Sequence, residues 1–153
     1  MTIHDTLFTT PVTATSKTLA SVERELKIAS ILTVGFGLLF AAASHDATDA
    51  VTRFLSDVMF WRVGDGVAEL TNTNHLADAI LGGVMAGWAV MIWLLADRFL
   101  ARAPTETKSI ITISMLVWFP IDSIGSIASG AWLNAISNVA FLLMFLVPLR
   151  RIR

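Results

Sequence analysis

The chain has 153 residues, 55% of them hydrophobic and 15% charged, with a formal net charge of −1 and no cysteine. Its mean hydropathy of +0.70 lies in the membrane range. The near-zero charge excludes a basic field for nucleic acid, and the missing thiols exclude disulfides, thiolate metal sites and cysteine catalysis.

Residues 1–15 are rich in Thr with little periodicity and read as a mobile tail; residues 16–153 read as a single four-span domain. From Ser16 the spacing Leu19, Val22, Leu26 predicts a helical lead-in at the membrane interface. The first span covers 28–44, with Gly35 and Gly37 and no ionisable group between Lys27 and His45. It ends Ala41-Ala42-Ala43-Ser44, similar to a signal-peptidase site. The long preceding segment with Asp5, Glu23 and Glu25 is unlike a signal n-region, so the span is expected to be retained.

In the long first loop Val51, Phe54, Leu55, Val58 and Met59 recur at helical spacing, while Asp49, Arg53 and Asp57 take the other face. This predicts an amphipathic helix lying on the outer interface and covering the bundle mouth. Gly64-Asp65-Gly66 would end it, and Thr71-Asn72-Thr73-Asn74 supplies turn and N-cap chemistry before the next span.

The second span, 76–96, contains Gly83-Val84-Met85-Ala86-Gly87. Small residues four apart let helix backbones approach closely, so Gly83 and Gly87 are expected to pack a helix, within the bundle ahead of a dimer seam. Asp78 sits one turn inside the outer end, with His75 at i−3. The third span, 109–128, is interrupted by Trp118-Phe119-Pro120-Ile121-Asp122-Ser123, and Pro120 predicts a kink. At about 1.5 Å per residue, Asp122 lies ~20 Å into a ~30 Å hydrocarbon core. A carboxylate at that depth costs a few kcal/mol, so it faces other helices, water or a partner. Ser126 and Ser129 continue its face. The fourth span, 132–149, follows after a short connection and must form an antiparallel hairpin with the third, which would let Asn134 and Asn138 hydrogen-bond Asp122.

Orientation follows from Lys and Arg. Lys17, Arg24, Lys27, Arg98, Arg102, Lys108, Arg150, Arg151 and Arg153 fall on one side, and only Arg53 and Arg62 on the other. Both termini are therefore expected in the cytoplasm. Every strongly polar span residue then lies in the outer half, which suggests a cavity open outward and closed toward the cytoplasm. The candidate ligand set is Asp122, Asn134, Asn138 and Ser126, rimmed by Asp78, His75 and His45. The same side chains also fit a purely structural hydrogen-bonded clamp.

His45 and His75, with Asp46 and Asp78, are weak candidates for a metal site or for axial haem ligation. Neither histidine has metal-ligand spacing within its own helix, and both sit at span ends, where polar residues meet water. No nucleophile motif, phosphate-binding glycine loop or dinucleotide fingerprint is present.

The pattern Gly87-Trp88, Met91-Ile92-Trp93, Trp118-Phe119-x-x-Asp122-Ser123, Asn134, Asn138 and Pro148-Leu149 resembles a group of small bacterial four-span inner-membrane proteins without an assigned activity. The architecture is also similar to that of DoxX-like four-span proteins. Small multidrug-resistance transporters share the size class, but the first span here lacks their membrane-embedded Glu. The resemblance implies a bacterial inner-membrane setting and supplies no function.

The sequence thus predicts an all-α integral membrane four-helix bundle with an extracytoplasmic amphipathic helix between spans one and two. Its leading function is non-enzymatic: an outward-facing polar pocket for a small or lipophilic ligand, or an accessory subunit of a larger membrane complex. The rivals are a homo-oligomeric transporter or channel using Asp122, an intramembrane lipid-modifying enzyme, and a b-type haem protein.

Overall fold

The computed structural model describes residues 10–45, 47–62 and 72–152. Its regular structure is entirely helical: α1 (Thr10–Ala42), α2 (Ala50–Met59), α3 (Asn72–Arg98), α4 (Pro104–Ala128) and α5 (Trp132–Leu149). All but α2 are long and apolar enough to cross a membrane, with mean hydropathies of 1.6 to 2.0 over their most apolar windows. At most 28% of any such window is buried inside the protein. Side chains such as Val84, Ile113, Ile121 and Ile124 therefore point outward, as in helices that are apolar around most of their circumference because their solvent is lipid. The chain is a multi-pass membrane protein.

Helix α1 starts at Thr10, so residues 10–15 are helical. Asn72–Asn74, expected as turn and cap, are already the first residues of α3. Residues 1–9, Asp46, Gly64-Asp65-Gly66 and Thr71 lie outside the described residues. Helix α4 opens on Pro104, whose missing amide is no loss in a first turn. It runs on through Pro120 as one helix.

The helices associate as two antiparallel pairs, α1 with α3 and α4 with α5. Where both surroundings and interior are apolar, burial alone does not join helices, and close backbone approach does. The α1–α3 seam is built for this. A Cβ on Gly37 would lie 2.7 Å from the Gly82 carbonyl oxygen and 2.8 Å from the Ala86 amide nitrogen, and one on Gly82 would collide with Gly37 and Ala41. Ala29, Ser30, Thr33, Ala89 and Ala96 continue the run of small buried residues. Gly83 and Gly87 take no part in it: a Cβ at either would meet nothing within 4 Å. The expected intramolecular packing through Gly83 and Gly87 is thus corrected by one residue, to Gly82 and Ala86 against Gly37 and Ala41.

The two pairs meet at the end that carries the described chain terminus. Val22, Leu26 and Ala29 of α1, Ile92 and Ala96 of α3, Ile111 and Met115 of α4, and Phe145 and Leu149 of α5 form the core there, with Leu100 and Ile152 closing it. No member of this cluster comes from the opposite half of the bundle. Ion pairs fasten the same end. Lys27 bridges Glu23 and Asp97 at 2.6 Å each and lies over the Trp93 ring, tying α1 to α3. Arg151, just past α5, engages Glu25 of α1.

Helix α2 contacts α1 and α5 at the other end. It does not turn its whole apolar side inward. Asp49 and Thr52 are buried, while Val51 and Phe54 are exposed and Leu55, Val58 and Met59 lie between. The Trp61 ring, just past α2, lies 6.2 Å from that of Trp132 at the start of α5. Trp61 itself sits at φ 55°, a left-handed conformation costly for a residue with a side chain.

Candidate functional site

The α4–α5 hairpin turns on one glycine. Gly130 has φ 87°, which costs a residue with a Cβ roughly 1–2 kcal/mol and glycine almost nothing. Its amide donates to the Ile127 carbonyl at 3.0 Å, and the Ala131 amide donates to the Ser126 carbonyl at 2.8 Å. These two bonds are the Schellman pattern that satisfies the last carbonyls of a helix and reverses the chain. With Gly130 as pivot, residues equally far on either side face each other: Ser126 opposite Asn134, and Asp122 opposite Asn138.

Those two layers form one hydrogen-bond network centred on Asp122. Its Oδ1 accepts from Ser126 Oγ at 3.1 Å, Asn134 Nδ2 at 3.0 Å and Asn138 Nδ2 at 2.7 Å. Asn134 Nδ2 also donates to Ser126 Oγ at 2.8 Å, and Asn138 Nδ2 to Ser123 Oγ at 3.2 Å. Asn138 is buried and Asp122 half-buried. All three donors converge on one carboxylate oxygen, and among the described residues none donates to Oδ2. Convergent donors are what an ionisable group in an apolar span requires.

Below this network, toward the core, lies an aromatic layer. Trp118, one turn before Asp122, packs on Phe141, one turn after Asn138, with ring centroids 5.4 Å apart. Trp88 of α3 joins them at 6.0 Å from Trp118 and 6.2 Å from Phe141, and Phe145 lies 5.9 Å from Trp88. The polar layers therefore have an aromatic floor, and the aliphatic core lies beyond it.

A second polar group forms where Asp49, the residue before α2, meets His75 of α3. Asp49 Oδ2 accepts from Arg53 Nε at 2.6 Å, with Arg53 Nη2 also in contact, and lies 3.5 Å from His75 Nε2. The Arg53 guanidinium, helped by His75, holds the buried Asp49 carboxyl below the usual carboxylate range against the opposing effect of burial. Asp78 is half-buried, and the charges that act on it are those of His75 and Asp49. His45 is exposed, and its Nδ1 accepts the Ala47 amide at 3.1 Å.

The structure thus brings together Asp122, Ser126, Asn134 and Asn138 as the spacing predicts. Of the residues expected at the rim of this group, His75 lies against Asp49 and Asp78 is within reach of the charges of both. Among the described residues no three His, Asp or Glu side chains are placed to share a metal ion. Sequence reasoning missed Ser123, and it missed Asp49 as the partner of His75. The i, i+4 spacing of Asp49 and Arg53 was a signal for a local pair, but nothing in the sequence reveals a contact 26 residues away.

Comparison with protein-family models, curated proteins and solved structures finds no match to this chain.

Proposed function

We propose that this is a bacterial inner-membrane protein that binds a small lipophilic cation in an outward-facing pocket at Asp122. The excess of Lys and Arg at the core end supports a cytoplasmic location for that end, which turns the polar layers and α2 outward. The single observation that carries the reading is the geometry of Asp122. Its donors converge on Oδ1, none among the described residues donates to Oδ2, and the Trp118–Phe141–Trp88 ring cluster begins one turn away on the same two helices.

A carboxylate beside aromatic rings suits an organic cation: the charge pairs with the carboxylate, and the apolar body lies against the rings. Oxygen-only recognition of a hydrated metal ion would need more ligands than this network has free. Among the described residues no second titratable group shares the Asp122 network, so the arrangement favours binding over acid–base chemistry.

The probe is tetraphenylphosphonium, titrated into purified full-length protein in mild detergent. Saturable binding that is lost in Asp122→Asn is the expected result. Absence of saturable binding, or equal binding by wild type and Asp122→Asn, refutes the reading.

A further inference from the structure

A groove lies toward the core end of the bundle. It runs between α1 and α5 with a volume of about 380 Å³, walled by Ile28, Leu32, Leu143, Met144 and Val147, with Glu25 as its polar residue. From Glu25 to Leu32 it follows α1 for about 10 Å, roughly a third of a hydrocarbon core, so it belongs to one leaflet. Four of these apolar walls, Ile28, Leu32, Leu143 and Val147, are half exposed, so the groove opens sideways to the surroundings of the bundle.

The charge at its mouth is arranged. Arg151 donates to both oxygens of Glu25, Nη1 to Oε1 at 2.7 Å and Nη2 to Oε2 at 2.6 Å, and Ser21 Oγ also donates to Oε1 at 3.0 Å. That pair cancels the one carboxylate that lines the groove among the described residues. Arg24 and Arg150, the neighbours of the paired residues, are exposed, and among the described residues neither makes an ion pair. Arg24 lies one turn before Ile28, and Arg150 one turn after Val147, so both flank the mouth where the helices leave their apolar spans.

We propose that this groove binds an anionic phospholipid: one acyl chain lies along Ile28, Leu32, Leu143 and Val147, and Arg24 and Arg150 hold the headgroup phosphate. Guanidinium groups match phosphate oxygens in fork geometry. A zwitterionic lipid fits less well, because its ammonium group would find no free carboxylate and would face two unpaired cations. The leaflet nearest the basic end is also the one in which anionic lipids attract basic residues.

The test is native mass spectrometry of the full-length protein in mild detergent, titrated with phosphatidylglycerol and with phosphatidylcholine of the same acyl chains. A surface cation contributes roughly fivefold to anionic-lipid binding, so the two arginines together give phosphatidylglycerol a preference of about twenty-five-fold. Arg24→Gln/Arg150→Gln should remove that preference. Val147→Trp, a change on the exposed wall, should lose retention of both lipids, because the larger ring fills the groove. Equal retention of the two lipids by wild type overturns the proposal. So does a preference unchanged in the double arginine variant, or equal competition by glycerol phosphate, which would assign the arginines to free phosphate. The arginine variant lies on the surface and carries the test even if Val147→Trp proves unstable.

Discussion

The Asp122 network makes a quantitative prediction about coupling between α4 and α5. Two of the three bonds to Asp122 Oδ1 cross the hairpin, from Asn134 and Asn138. Interhelical hydrogen bonds in membrane proteins average about 0.6 kcal/mol and reach about 1.7 kcal/mol. The Asp122–Asn138 bond, at 2.7 Å the shorter of the two and directed at a carboxylate, belongs in the upper part of that range, at roughly 1–1.7 kcal/mol. Asp122→Ala alone is not diagnostic. It takes away one of the two acceptors of each asparagine amide, yet it also removes an ionisable group whose place in an apolar span costs about 2.5–3.5 kcal/mol. The informative quantity is the coupling in a double-mutant cycle of Asp122→Ala with Asn138→Ala, read from unfolding in mixed SDS micelles by tryptophan fluorescence. A coupling of about 1 kcal/mol or more supports the network. Additivity within about 0.3–0.5 kcal/mol, the behaviour of independent sites, refutes it.

Replacing Gly130 with Ala should destabilise the hairpin by roughly 1–2 kcal/mol through the left-handed backbone alone, and Gly130→Asn should cost less; the same unfolding assay separates them. Gly82→Ala and Gly37→Ala should each cost about 1–3 kcal/mol by forcing α1 and α3 apart, while Gly83→Ala and Gly87→Ala should change stability by no more than about 0.5 kcal/mol. Equal effects at Gly82 and Gly83 would contradict the seam's register. Because Asp49 titrates below its unfolded value, it contributes stability that is fully present above about pH 4 and is lost as the pH falls through its depressed value. Hydrogen exchange in α2 should therefore accelerate on acidification through that range, and Asp49→Asn should abolish the pH dependence; an unchanged profile would show that Arg53 and His75 do not hold α2 through this carboxylate.

Much of the Asp122 site was legible because hairpin geometry is local. A short connection between two apolar runs forces antiparallel helices, and the polar spacing 122/126 against 134/138 is symmetric about Gly130. Few other arrangements could satisfy four polar side chains in an apolar span. The helix seam was less legible. Gly82 and Gly83 are adjacent, and each begins a small-residue pair, Gly82 with Ala86 and Gly83 with Gly87. The second is the stronger motif in isolation. Only the seam as a whole, with Ala89 and Ala96 on the Gly82 side, selects the first.

The sequence by itself determined the number of spans and the confinement of their ionisable side chains, Asp78 and Asp122, to one half. Each of these depends on the cost of placing a residue type in hydrocarbon, a property of the residue alone. Tertiary structure decided how the polarity is divided. Asp122 is satisfied by its neighbours across the hairpin, whereas His75 lies against Asp49 at the start of α2, with Asp78 within reach of their charges, and Glu25 is claimed by Arg151 from the far end of the chain. Those partnerships depend on which faces the helix pairs turn toward each other. In an apolar solvent, those faces are selected by close contact at small residues such as Gly37 and Gly82, not by a hydrophobic stripe visible in the pattern.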